Sequence, residues 1–271
     1  MSKPLHNLIT QFEELWPLYG AEDWDRPGLA VGNPEESIAK ILLTVDVTKQ
    51  VLEEAKSIGA TLVLAHHPLL LKAESLLSTD TLKGELVSYA ISNGIAIYSA
   101  HTNADIVKDG VSDSLAAALG LINYRPLVET SDGSGHGRIG KLPKPLKFRE
   151  LGDLVSQVIP NTNAPIRLAG DLERIVETVA VVGGAGDSFI PDAQSQLADV
   201  LVTSDLRHHV CLDAISHPTA PLCLIDVSHF AAESLWLSVA SSQLQALFPE
   251  LVFELSKIKT DPWSLTIGIQ K

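Results

Sequence analysis

Three short apolar runs of this sequence each end in imidazole or carboxylate side chains. These side chains are His66, His67, His101, Asp105, His229 and Glu233. Nitrogen and oxygen donors of this kind suit zinc, iron, manganese and nickel. The pattern therefore predicts a site for divalent metal ions.

The spacing of these residues suggests more than one ion. His66 and His67 are adjacent, so beyond a strand their side chains point to different sides, and one pair can serve two ions. His229 and Glu233 are four residues apart, which places them on one face of a helix. A carboxylate such as that of Glu233 has two oxygens and can bridge two cations. Each pattern alone also occurs in loops and at helix starts without metal, and it is their shared position after strands that favours metal binding.

Strands and helices must bring these side chains together, and the apolar pattern predicts both. The predicted strands cover 41–45, 61–65, 95–99, 178–182, 200–203 and 222–227. The predicted helices cover 48–57, 82–92, 111–119, 150–158, 189–197, 207–215 and 229–247, after an amphipathic helix at the N-terminus. Such alternation is typical of an α/β fold with a mostly parallel sheet covered on both faces. Because ligands collect at the carboxyl ends of parallel strands, we expect the three strand ends to converge.

One segment interrupts the alternation and predicts the domain organisation. Residues 129–147 are rich in Gly, Ser and Pro at their start and end, and we interpret them as the crossing between two α/β units. The predicted domains are 1–128, completed by 250–271, and 129–249. Residues 251–270 alternate weakly and predict a final strand that closes one of the sheets.

The composition excludes some classes of binding partner and predicts the cellular compartment. The chain has 271 residues, is 45% hydrophobic and carries a formal net charge of −13, so its surface repels nucleic-acid backbones and anionic membranes. No general nucleic-acid or membrane binding is expected, but a small anionic substrate still fits because bound metal reverses the local field. The two cysteines, Cys211 and Cys223, suit a reducing compartment. Without a signal-peptide pattern or a membrane-spanning apolar run, the sequence predicts a cytoplasmic protein.

Two further motifs leave alternatives open. The glycines of 183–188 follow a predicted strand, where they either let backbone N–H groups approach an anion or form a tight turn into a helix. In 203–209, Ser204 or Asp205 either caps the next helix or lines the crevice. We favour a substrate-facing or supporting role for His209 in that crevice over a purely structural one.

Seven segments resemble the family of GTP cyclohydrolase 1 type 2 homologs, also called Nif-three-like proteins, in the same order and almost from end to end. They are AEDWDRPGLAVGNP (21–34), LVLAHHPLL (62–70), YSAHTNADIVKDGVSDSLA (98–116), GHGRIGKL (135–142), VVGGAGDSF (181–189), VTSDLRHH (202–209) and IDVSHFAAE (225–233). Seven ordered matches are far more specific than any single motif.

The resemblance implies a site for two divalent metal ions per chain, zinc, iron, manganese or nickel. His66 and Asp105 correspond to ligands of the first ion. His67 and His229 correspond to ligands of the second ion, and Glu233 corresponds to the carboxylate that bridges both.

The resemblance also implies the architecture, which is two interlinked three-layer α/β domains with mostly parallel or mixed sheets, assembled into a ring-shaped homohexamer. His101 corresponds to a position beside the ligands, where it would orient Asp105 or a water. The chain departs from the family pattern at Arg26, where relatives often have Asn, and at Ser204, where they often have Gly. Neither of these is a proposed ligand, so the departures bear on substrate contacts and leave the metal site intact.

The first functional hypothesis is a metal-dependent hydrolase of a nucleotide-like or other small anionic substrate. Two ions about 3.5–4 Å apart lower the pKa of a shared water to about 7, and His101 or His209 would carry protons. The alternative is a non-enzymatic metal-binding or regulatory interaction protein, because no Ser-His-Asp set marks a dedicated catalyst. A third reading is an unrelated α/β protein whose histidines are incidental.

Overall fold

A computed structural model describes residues 2–131 and 133–268, in which strands and helices alternate along the chain. The strands are β1 (Lys3–Pro4), β2 (Gly28–Val31), β3 (Ser37–Ile38), β4 (Lys40–Thr44), β5 (Leu62–Ala65), β6 (Ala96–Ser99), β7 (Ile122–Glu129), β8 (Gly135–Lys147), β9 (Arg167–Ala169), β10 (Ile175–Ala185), β11 (Val200–Ser204), β12 (Cys223–Val227) and β13 (Val252–Leu255). The helices are α1 (Leu5–Leu15), α2 (Lys49–Ile58), α3 (Leu82–Ser92), α4 (Thr102–Asp105), α5 (Val111–Ala118), α6 (Phe148–Val158), α7 (Ile190–Ser195), α8 (His208–Ile215) and α9 (His229–Leu247). The predicted class, an α/β protein, is confirmed.

Helix α2 shows why the sequence located the helices well. The Thr48 hydroxyl accepts a hydrogen bond from the backbone N–H of Val51 and caps the start of the helix. At the other end Gly59 adopts a left-handed conformation with φ of 72°, which a glycine takes without strain. Both ends are thus encoded by single residues, and the helix lies within one residue of its predicted bounds.

The segment 129–147 does not form the predicted crossing. Most of it is β8, which pairs antiparallel with β7 on one side and with β10 on the other. Its glycines serve the pairing, because a Cβ on Gly140 would lie 2.7 Å from the Tyr124 side chain on β7. The glycine-rich composition of this segment is typical of a loop, but here the glycines allow neighbouring strands to approach closely.

The chain divides into two compact units, and the division falls within α9. Unit 1 contains residues up to 107 together with 237–260, and unit 2 contains 108–236 together with the residues from 261 onward. The two domains predicted from the sequence, 1–128 completed by 250–271 and 129–249, stay a prediction. Among the described residues, no helix has the length and apolarity needed to cross a membrane.

Unit 1 is built on a five-stranded mixed sheet with the order β13-β4-β5-β6-β2. Strands β13, β4, β5 and β6 run parallel, and β2 pairs antiparallel with β6. On one face Leu42, Val63 and Ile97 pack against apolar side chains of α2 and α3. On the other face Phe12 of α1 contacts Tyr98 at 5.1 Å between ring centroids. The sheet is therefore covered on both faces. Because β4, β5 and β6 are parallel neighbours, their carboxyl ends lie side by side at one edge of it.

The predicted final strand is present but shorter than the pattern suggested. Only β13 joins the sheet, pairing parallel with β4. The chain beyond it, through residue 268, forms no strand.

Unit 2 is built on a six-stranded mixed sheet with the order β7-β8-β10-β11-β12-β9. Strands β10, β11 and β12 pair parallel with one another, while β8 and β9 pair antiparallel with this parallel core. Alternate residues of these strands pack in two separate cores. One core lies with α5 and α6, and the other with α7 and α8. The alternation places helices on both faces of this sheet too.

Candidate metal centre

The strand ends of unit 1 gather the predicted histidines. His66 and His67 follow β5, and their backbone N–H groups still donate to Thr44 and Val45 of the neighbouring chain segment. His101 follows β6, where Ala100 continues the pairing by donating to Ala65. Because backbone hydrogen bonds continue past the last residues of the strands, the backbone positions of these histidines are fixed.

His66, His67 and His101 form the triple-histidine group. Their ring centroids are 4.9 to 5.3 Å apart, and one ligand atom from each lies within 4.8 Å of the others. His66 is fully buried, and the other two are partly buried. Three imidazoles this close are a donor set suited to a transition metal ion.

Each of the three rings has its Nδ1 fixed by an oxygen acceptor. His66 Nδ1 donates to the carbonyl oxygen of Ala100 at 2.9 Å, and His67 Nδ1 donates to Asp46 Oδ1 at 2.7 Å. His101 Nδ1 donates to Asp25 Oδ1 at 2.7 Å. A carbonyl or a carboxylate only accepts, so the proton lies on Nδ1. In the neutral ring Nε2 is then the nitrogen that can bind a metal, and such a partner is what metal-binding histidines commonly have.

Asp25, the partner of His101, accepts several further hydrogen bonds. Besides His101, its carboxylate accepts hydrogen bonds from the backbone N–H and hydroxyl of Thr102 and from the backbone N–H of Arg26. Burial alone would raise the pKa of Asp25, but these hydrogen bonds and the His101 charge outweigh it and lower the pKa to about 2. In the sequence Asp25 lies within the matched segment 21–34, and sequence reasoning did not connect it to His101.

Asp105 lies at the end of α4, one turn after His101. Its Oδ1 is 3.7 Å from His66 Nε2, which is longer than a hydrogen bond. Two donors bound to one ion at about 2.1 Å each can lie no more than about 4 Å apart, so this separation fits a shared ion.

In unit 2, His229 and Glu233 occupy the first turns of α9, directly after β12. His229 Nε2 lies 2.8 Å from Glu233 Oε1, and His229 Nδ1 donates to Asp205 Oδ2 at 2.7 Å. The Glu233 side chain is only 3% exposed. These three residues, His229, Glu233 and Asp205, form the His229 group.

The carboxylates of the His229 group set its charge. Burial alone would lower the pKa of His229, but Glu233 and Asp205 outweigh it and raise the pKa to about 11. The ring therefore carries a proton on each nitrogen at neutral pH when no cation competes. A metal ion supplies the same positive charge between the same acceptors, so the group fits a cation.

Comparison with known proteins gives the family. The profile of the Duf34/NIF3 (NGG1p interacting factor 3) family matches residues 4–262. The chain belongs to this family. A GTP cyclohydrolase 1 type 2 homolog of Streptomyces coelicolor is 41% identical, over 97% of this chain and 95% of that protein. A protein of the same name from Clostridium perfringens is 36% identical, over 96% of this chain and 98% of the relative.

Two solved structures share the fold of this chain. A Bacillus cereus protein related to NIF3 superposes with a TM-score of 0.89 at 25% identity, over 97% of this chain and 99% of that one. The Staphylococcus aureus protein SA1388 superposes with a TM-score of 0.90 at 24% identity, over 97% and 99% of the two chains. The family profile and the two sequence relatives confirm the resemblance inferred from the seven sequence segments.

The two predicted proton carriers of this Duf34/NIF3 chain lie in different surroundings. His101 belongs to the triple-histidine group, where one of its ring nitrogens lies within 4.8 Å of a ring nitrogen of His66 and of His67, and its role beside the ligands stays a prediction. His209 is exposed on the first turn of α8, where its ring contacts His208 at 5.1 Å between centroids. Within the described residues no hydrogen bond or ion pair joins His209 to Asp205 or His229, and its catalytic role stays a prediction.

Sequence reasoning missed the carboxylates that hold the histidines. Asp46 received no role, although it follows β4 at the position that His67 has after β5, so the same strand-end argument points to it. For Asp205 the sequence left two roles open, a cap of the next helix or a side chain that lines the crevice. It holds His229 from a left-handed backbone conformation with φ of 59°, which is uncommon but tolerated by aspartate.

Proposed function

We propose that this Duf34/NIF3 chain holds two divalent metal ions and uses them to hydrolyse a nucleotide-like or other small anionic substrate. The observation that carries the proposal is the fixed Nδ1 of four histidines, His66, His67, His101 and His229, each of which donates to an oxygen acceptor. Histidines that only pack in the hydrophobic core need not all have Nδ1 bound to an oxygen acceptor. The same arrangement at four positions of the proposed site supports a metal centre.

The assignment of ligands follows the family resemblance. In this proposal His66 and Asp105 would hold one ion, His67 and His229 would hold the other, and Glu233 would be shared by both. Zinc, iron, manganese and nickel all accept this donor set. When bound, such ions supply Lewis acidity and an acidified water.

The residues around the ligands supply position and proton transfer. Asp46 holds the ring of His67, and Asp205 holds the ring of His229, so neither ligand must be ordered when an ion binds. His101, oriented by Asp25, presents Nε2 as a hydrogen-bond acceptor in its neutral form and can accept a proton from a reacting group. His209 is the second proposed proton carrier.

Trp24 gives the proposed substrate an aromatic contact. Its indole packs edge-on against His101 at 5.8 Å between ring centroids and is 56% exposed as a residue. An exposed indole beside a metal-binding group can stack on a planar base. This favours a substrate with a heteroaromatic ring, such as a nucleotide, over a purely aliphatic anion.

The experiment compares the wild-type chain with Glu233→Ala and with Glu177→Ala, which removes an exposed glutamate of the same unit. Untagged proteins are loaded with each metal, analysed for metal content and assayed with GTP and a panel of phosphoesters. We expect about two metal ions per wild-type chain, and we expect both metal and turnover to fall only in Glu233→Ala. Equal turnover by all three proteins would reject the hydrolase.

The second candidate is a metal-dependent interaction protein without turnover. It is favoured by the family description, which names an interacting factor of another protein. Its evidence would be binding of a protein partner that is lost in the chelated protein and in Glu233→Ala, together with no product from the substrate panel. Partner binding that survives chelation would count against it.

A further inference from the structure

We propose that Gly184 is the positioning residue of the Glu233 carboxylate, because the absence of a side chain at this position leaves the space that the carboxylate and the His229 ring occupy. The inference rests on the proposed metal site. It assigns a role to the glycine-rich segment 183–188, for which the sequence left open an anion loop or a tight turn.

The segment forms a bulge in the sheet of unit 2. Strands β10 and β11 pair regularly up to Val181 and Val202, and pairing resumes at Ala185 and Ser204. Four steps along β10 thus face two steps along β11, so the end of β10 holds extra residues. Bulges bend a strand locally and change the direction of its side chains and backbone beside functional sites.

At this bulge the backbone of Gly184 approaches the His229 group. A Cβ added to Gly184 would lie 2.6 Å from Glu233 Oε1 and 3.5 Å from His229 Nε2. The first distance is far shorter than any real contact, and Glu233 is almost fully buried on the first turns of α9. The carboxylate therefore cannot keep its position beside His229 if position 184 carries any side chain.

The conformation of Gly184 is held from the neighbouring strand. Its φ is 80°, in the left-handed region that favours glycine. The buried hydroxyl of Thr203, on β11, donates to the Gly184 carbonyl oxygen at 2.9 Å. Thr203 also lies against Gly186, where an added Cβ would be 2.1 Å from its Oγ1. The hydroxyl and the two glycines fix one path for the backbone past Glu233.

The same geometry argues against the anion loop. The segment runs into a single turn of 3-10 helix at Asp187–Phe189 and then into α7, which has only six residues. The atoms nearest an added Cβ at Gly184 belong to an acidic side chain and to its histidine neighbour. The glycines thus make room for a carboxylate of the protein itself.

The test uses Gly184→Ala with Gly120→Ala as its matched control. Gly120 is in the same unit with φ of 68°, and a Cβ added there would meet nothing within 4 Å. Both variants acquire the strain of a left-handed alanine, but only Gly184→Ala displaces Glu233. Metal affinity is measured by competition with a chromophoric chelator, and ligand geometry by the visible spectrum of the cobalt-loaded protein.

We expect metal affinity to fall at least about tenfold and the cobalt spectrum to change in Gly184→Ala, the effect size typical of losing support for a metal ligand. Gly120→Ala should keep the wild-type values despite a similar drop in melting temperature. A Gly184→Ala protein that binds cobalt with wild-type affinity and spectrum would overturn the inference while leaving the metal site standing. A wild-type chain that binds no metal would instead reject the proposed function.

A second pair of variants keeps the test decisive if Gly184→Ala does not fold. Thr203→Val removes the hydroxyl that holds the Gly184 carbonyl while keeping the side-chain shape, and Thr203→Ser restores the hydroxyl. We expect Thr203→Val to lose metal affinity and Thr203→Ser to recover it. Equal affinity in both would overturn the positioning role.

Discussion

The Nδ1 of His67 donates to Asp46 Oδ1 at 2.7 Å, and the two residues come just beyond the carboxyl ends of neighbouring parallel strands. Asp46 also accepts a hydrogen bond from the hydroxyl of Thr260. The imidazole is thereby oriented before any ion binds, and its charge partner raises the basicity of Nε2.

Removing this partner should weaken metal binding without unfolding the protein. In Asp46→Ala we expect metal affinity to fall about 10–100-fold, because His67 must then be ordered by the ion itself. Chelator competition measures the affinity. The control is Asp80→Ala, which removes an exposed aspartate of unit 1. Unchanged affinity in Asp46→Ala would show that the hydrogen bond from Asp46 to His67 does not support metal binding.

The buried Asp25 should make the metal-free protein sensitive to acid. Its pKa of about 2 lies below the ordinary 3.8, so ionised Asp25 stabilises the folded state above about pH 4. That stabilisation, about 2 kcal/mol, is lost as the pH falls from about 4 towards 2. Denaturant unfolding of the chelated wild type at a series of pH values should show this decline.

Asp25→Asn isolates the contribution of the carboxylate. We expect the variant to be less stable than the wild type at pH 6 and to lose less stability between pH 4 and 2, because the group that titrates is gone. If the variant retained the wild-type pH dependence, another carboxylate would be responsible for it.

Trp24 should matter for substrate and not for metal. If its indole stacks on a planar base, Trp24→Ala should raise KM about fivefold or more, the effect of losing roughly 1 kcal/mol of stacking. Metal content and kcat should stay near wild type, and Trp24→Phe should recover most of the affinity. Tyr19→Ala, which removes another exposed ring of unit 1, is the control. A raised KM in that control as well would point to a general surface effect.

The assembly implied by the family resemblance is open to a direct measurement. We propose that six chains form a ring, and light scattering coupled to gel filtration should then give a particle of six chains over a range of concentrations. A particle of one chain at the concentrations used for metal analysis would remove the hexamer. Metal stoichiometry per chain is measured on the same sample, so the two results can be compared.

Most elements of the fold were predictable because their signals are local. The helix over 82–92 was predicted with its observed bounds, and Thr81 caps its start by accepting a hydrogen bond from Gly84. By contrast, β8 was missed because its glycines and prolines are typical of loops, and only its pairing with β7 and β10 makes it a strand. Strand pairing depends on partners distant in sequence, which a local pattern does not contain.

For the metal centre, the sequence by itself determined the ligand candidates and their position after strands, since side-chain chemistry and strand ends are both local properties. Only the tertiary structure decided which acceptor holds each ring. Asp25 reaches His101 across 76 positions, and Asp205 reaches His229 across 24. It also decided that Gly184 must lack a side chain, because the atoms that would collide with one belong to a helix far along the chain. Contacts of this kind exist only once the strands have set the backbone in place.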